Sequence, residues 1–199
     1  MSTTTDPDPA ATRPLDLARA LAIQAHANRL ANRRLQGVLA NLSTSELHAK
    51  RIGFFPSILG TLNHLLAVDR YYIAALRGEA DVVDPFKRFV PPADLAAYAP
   101  AQDLSDQRLV AFCDRLDADG VNAPVTMDRG AGRFQHDLAG PVLAHLFMHQ
   151  THHRGQVHAM LSGTSVKPPQ LDEFLMPSEP HLRGMDMAAL GGHEDEVYG

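Results

Sequence analysis

Between Pro56 and Gly78 apolar side chains recur at helical spacing: Ile58, Leu59, Leu62, Leu65, Leu66, Tyr72, Ile73 and Leu76. A segment that keeps this period over about six turns can bury its stripe only as a helix packed against other helices. Pro56 suits a first turn and Gly78 a stop. Three further segments carry the same mark. Residues 15–42 place Leu17, Leu21, Leu35, Val38, Leu39 and Leu42 on one stripe. Residues 104–116 turn Leu109, Phe112 and Leu116 inward ahead of Gly120. The last helix is expected from Pro141 to Gly163. The spacing therefore predicts an all-α chain, a four-helix bundle.

The intervening segments set the topology. Ser43-Thr44-Ser45-Glu46 has the pattern of a capping box, so a short turn of helix is expected there. Residues 79–102 contain Pro85, Pro91, Pro92 and Pro100, which argue against a long helix and for a long connection. A link of that length can travel the bundle, which would make helices two and three parallel and helices two and four antiparallel. Weak alternation over residues 121–137, around Arg129-Gly130, predicts a short hairpin or extended loop. Residues 1–14, with Pro7, Pro9 and Pro14, are expected to form a disordered lead. The bundle is assigned to residues 15–176. A tail over 177–199 should lie on the surface, and any helix after the fourth should be short and near Leu171 to Leu175.

At 199 residues, 45% of them hydrophobic, the chain can close one real core. The formal net charge of −5, without a run of Lys and Arg, excludes a basic nucleic-acid surface. No stretch of 18 apolar residues predicts a membrane span. The single cysteine, Cys113, has no internal disulfide partner. The opening Met1 to Pro14 lacks the apolar stretch of a signal peptide. A cytoplasmic protein is the simplest expectation.

Histidine is out of line with this ordinary composition. Of 11 histidines, His145, His149, His152, His153 and His158 fall between Pro141 and Leu161. His149 and His153 are four apart, so on a helix they stand about 40° apart round the axis and about 6 Å along it. Two imidazoles so placed can share one ion. His145 drifts away from His153, and His152 lies off this face. His64, among Leu62, Leu65 and Leu66, is the best third ligand. It lies roughly 12 Å into its helix, and His149 and His153 lie roughly 12–18 Å from the end of theirs, so antiparallel helices bring all three to one level. A lone histidine of this kind is more often a hydrogen-bonded core residue. Asp69, Arg154 and Gln156 read as polar groups of the bundle, and Cys113 as core. Ser-His-Asp, phosphate-loop and Cys-x-x-Cys patterns are absent.

The segment Thr61-Leu62-Asn63-His64-Leu65-Leu66-Ala67-Val68-Asp69-Arg70-Tyr71 resembles the second helix of the DinB family. The segment His145-Leu146-Phe147-Met148-His149-Gln150-Thr151-His152-His153-Arg154-Gly155-Gln156-Val157 resembles its fourth. The likeness covers roughly residues 15–175. It implies a left-handed bundle of up-down-down-up order with a long crossover, often a homodimer. It also implies a divalent metal, nickel or zinc, on His64, His149 and His153. Similar bundles include transferases and isomerases that use small thiols, although no thiol-binding motif can be matched in this chain.

Three imidazoles leave a coordination position open, as catalytic sites do. The leading expectation is a metal-dependent enzyme that transfers a small thiol to an electrophile, or a hydrolase. The alternative is a non-catalytic metal-binding bundle, and a third reading is a structural dimer with incidental histidines. Because the imidazoles must be unprotonated, metal affinity is expected to fall below about pH 6.

Overall fold

A computed structural model describes residues 15–79 and 88–199. The expected lead over 1–14 and the contribution of Pro85 lie outside these residues. Among the described residues there are eight helices and one two-stranded sheet. Helix α1 spans Leu17–Leu39 and begins where the Asp16 carboxylate accepts the Arg19 N–H at 2.8 Å. Helix α2, Thr44–His48, opens on the expected capping box between Ser43 and Glu46. Helix α3, Ile58–Leu76, is capped by Ser57 and followed by Gly78 in the left-handed region at φ +62°.

Helix α4 spans Leu95–Cys113, nine residues earlier than the expected start at 104. Asp94 supplies the cap that Pro100 had argued against, accepting the Ala97 N–H at 2.8 Å. Pro100 falls in the second turn and forfeits one intrahelical hydrogen bond. Tyr98 and Gln102, both buried, hold that turn against the core. The connection from α3 is correspondingly shorter than 79–102.

After the short helix α5, Ala118–Val121, strands β1 (Pro124–Asp128) and β2 (Phe134–Leu138) form the expected hairpin. They pair antiparallel with Thr126 opposite His136, through a turn whose residues 130–132 all have positive φ. Helix α6, Ala139–Leu161, is the fourth long helix. Helices α7 (Pro180–Ala189) and α8 (Glu194–Tyr198) complete the chain. The tail is thus helical, and residues 171–175, where a short helix was expected, are not. Pro180 starts α7 with its φ preset, and Met187, Val197 and Tyr198 bury themselves with Ile23, Ala27 and Leu30 of α1. Leu17 is a second correction: expected inward, it is 58% exposed at the first turn of α1.

Each of α1 and α3 packs on both α4 and α6. One apolar cluster, including Tyr71, Leu109, Leu143 and Leu146, fills the end beside the hairpin; another, including Leu39, Leu62, Leu66 and Leu161, fills the other end. The interior also carries a polar network that joins all four long helices. Asp106 of α4 accepts from Asn28 and Asn32 of α1 at 3.2 and 3.0 Å, and from Gln102 at 3.0 Å. Gln102 also donates to Asp69 of α3 at 2.8 Å. Arg154 of α6 donates to Asn28 and, at 3.1 Å, to Asn32. Burial pushes both carboxyls above the ordinary range, with Asp69 itself the next cause for Asp106. Such a network fixes which helix faces meet, because each buried polar group has its partner in one arrangement only.

Candidate metal centre

Helix α3 presents His64 and helix α6 presents His149 and His153. The contacts between these helices run in opposite order: Phe55 and His64 lie by His153, His64 by His149, and Tyr72 by His145. The depth match expected for antiparallel helices is therefore met. The three histidines each offer a ring nitrogen, and these atoms lie within 4.8 Å of one another. His64 Nε2 and His149 Nε2 are 3.2 Å apart. Two nitrogens about 2.0–2.1 Å from a tetrahedral ion stand about 3.3 Å apart, so this spacing fits a shared divalent ion.

The surroundings keep the rings neutral. Burial holds His64 down to about 4, assisted by the charge of His153. Burial, then the neighbouring His153 and His64, hold His149 down to about 3. His153 is lowered too, again by burial, although Gln156 opposes the shift. The lone pairs of His64 and His149 are thus free of protons well below pH 6, where the sequence alone placed the loss of metal affinity, and His153 is shifted in the same direction.

Orientation comes from two residues that sequence reasoning did not assign to the site. Gln156 Oε1 lies 2.8 Å from His153 Nδ1. An amide oxygen only accepts, so His153 donates from Nδ1 and keeps its Nε2 lone pair for a ligand. The three-residue spacing on one helix was the available signal for this pair. Phe55 stacks on the His64 ring, centroids 4.3 Å apart and planes 28° apart. It comes from the loop before α3, and no sequence periodicity pointed to it. The other histidines fall where expected. His152 is exposed and accepts from Gln156 Nε2 at 3.1 Å, while His145 lies against Tyr72, centroids 5.3 Å apart. Cys113 is buried core, its thiol pushed up to about 12 mainly by burial.

The family model described as DinB family matches residues 20–182, most of the chain and all three of these histidines. The chain belongs to the DinB family. No curated protein matches it. No helix among the described residues of this DinB-family chain is long and apolar enough to cross a membrane.

Gln156 gives the first prediction. Replacing it with alanine frees the His153 ring without removing a nitrogen from the cluster. Loss of such a supporting hydrogen bond typically costs 10–100-fold in metal affinity, so zinc should bind Gln156→Ala about ten- to hundredfold more weakly. Competition with a chromophoric chelator measures the ratio, and an unchanged affinity would remove Gln156 from the site.

Proposed function

We propose that the chain is a divalent-metal-dependent enzyme, with His64, His149 and His153 holding nickel or zinc and one position left for a small ligand. The observation that carries this reading is the convergence of three neutral imidazole nitrogens from two helices within 4.8 Å. A divalent ion held there would supply Lewis-acid chemistry, lowering the pKa of a water or thiol at the remaining position. Transfer of a small thiol to an electrophile is the leading reaction class, with hydrolysis second. His64 and His149 are only partly buried. Phe55 shields one face of His64 from water.

Two features favour catalysis over a closed structural site. No fourth histidine, cysteine or carboxylate joins the group among the described residues. A cavity of about 570 Å³, bounded by Lys50, Arg51, Ile52, Gln156 and Met160, reaches the residue that orients His153. Its volume is in the range that takes small organic ligands.

The framework proposed for this site is an up-down-down-up four-helix bundle. Its support is the order of cross-helix contacts. His26 and Asn32 of α1 meet Asp114, just past α4, and Asp106 within it, in opposite order. Leu17 and Asn32 of α1 meet Gly140 and Arg154 of α6, in the same order. Asp69 of α3 meets Gln102 of α4, and Glu79 just past α3 meets Arg108, again in the same order. A homodimer is part of the proposal, following the family resemblance, and light scattering measures it.

The deciding experiment loads the purified chain with zinc or nickel, measures metal by elemental analysis, and assays small thiols against electrophiles before and after chelation. About one ion per chain and an activity lost on chelation are expected. Full loading with no activity towards any thiol or hydrolysable substrate would favour the non-catalytic metal-binding reading. Metal far below one per chain would sink both.

A further inference from the structure

A second cavity, of about 410 Å³, lies between α1, α6 and the 170–175 segment. Residues of a helix turn by about 100° each, so Arg154 stands about 140° round α6 from His149, and Thr151 about 160°. None of His64, His149 and His153 lines this cavity. Ala27, Ala31, Phe147, Leu171 and Phe174 make it apolar, and Arg154 brings a cation to it.

That guanidinium has donors to spare. Its Nη1 is committed to Asn28 and Asn32. Among the described residues no acceptor meets its Nε or Nη2, and no carboxylate lies within 4.0 Å of it. Asp106 is reached only through the two asparagines. Burial pushes Asp106 up to about 8, so near neutral pH it does not supply a full negative charge to Arg154, and Asp69 forms no ion pair with it. Of the other ionisable groups lining the cavity, Asp172 accepts from Gln170, and His158 Nε2 lies 3.0 Å from the Pro169 carbonyl. An arginine with free N–H groups, set among aromatic and aliphatic walls, matches a ligand with one anionic end and an apolar body.

We propose that this cavity binds a small aromatic carboxylate, its ring against Phe147 and Phe174 and its carboxylate on the free N–H groups of Arg154. The site is separate from the histidine cluster and does not depend on the activity proposed there.

Arg154 is unsuited to the test because it also holds the interior network. Gly155 serves better: it lines the cavity, and a Cβ built on it meets nothing within 4 Å. Gly155→Trp should fill the cavity while leaving α6 intact, since glycine is the weaker helix former. Calorimetric titration uses 3-phenylpropionate and its neutral amide, with wild type, Gly155→Trp and His149→Ala. Wild type should bind the carboxylate at least about tenfold more tightly than the amide, the worth of one charge-assisted hydrogen bond. Gly155→Trp, shown folded by circular dichroism, should lose that binding, and His149→Ala should keep it. Equal affinity for the amide would overturn the proposal, as would retained binding in Gly155→Trp or no saturable binding in wild type. Loss of binding in His149→Ala would place the carboxylate at the histidines instead.

Discussion

His149→Ala is expected to lower zinc affinity by about a hundredfold or more, while His152→Ala leaves it close to wild type. Four-ligand structural zinc sites bind with roughly 10–16 kcal/mol, or about 2.5–4 kcal/mol per ligand, and each 1.4 kcal/mol is tenfold. The two histidines are three residues apart, yet their geometry differs. His149 Nε2 faces His64 Nε2 at 3.2 Å, whereas His152 is exposed and its Nε2 is taken up by Gln156. Competition titrations of the two variants against one chelator give the comparison directly. Equal losses would mean that α6 presents a different face to the ion.

The contrast shows why the histidine cluster was legible from sequence. Four-residue spacing fixes two rings on one face of a helix whatever surrounds it, and the depth of His64 in α3 is set by rise per residue alone. The residues that orient the cluster were less accessible. Gln156 lies on the same helix as His153, but i, i+3 polar pairs are common on helix surfaces, so its hydrogen bond had no distinguishing mark. Phe55 reaches His64 from a loop, where no period relates sequence to position. The same division holds for the fold. The Leu-rich stripe of α3 and the capping box at Ser43 are local and were readable. The start of α4 was misplaced because Pro100 was weighed as a breaker without the cap at Asp94 and the burial of Tyr98 and Gln102, which outweigh one missing hydrogen bond. The tail helices were missed because their apolar residues pack against Phe174 and the outer face of α1, contacts distant in sequence.

Arg154 was read from sequence as an ordinary polar group, and its place in the interior makes it the residue whose loss should cost the fold most. Arg154→Met is expected to destabilise the chain by about 2–6 kcal/mol, because it leaves the side-chain oxygens of Asn28 and Asn32 without their donor, at about 1–3 kcal/mol each. His64→Ala should cost much less. It removes a partly buried ring, while Leu62, Leu65 and Leu66 beside it remain buried, each contributing about 1.5–3 kcal/mol. Urea unfolding followed by far-UV circular dichroism ranks the two variants. If His64→Ala, or chelation of the wild type, unfolds the chain at room temperature, the ion is structural and the catalytic reading loses its footing. The network also sets a pH dependence. Burial raises Asp106 from 3.8 to about 8, so between those values the folded chain holds a proton that the unfolded chain has released. Its contribution to stability is complete below about pH 4 and is lost as pH rises through about 8. Asp106→Asn, which cannot ionise, should therefore flatten the decline in stability between pH 5 and 8. An unchanged slope would mean that Asp106 is already ionised in the folded chain, held so by the amides of Asn28, Asn32 and Gln102 that donate to it.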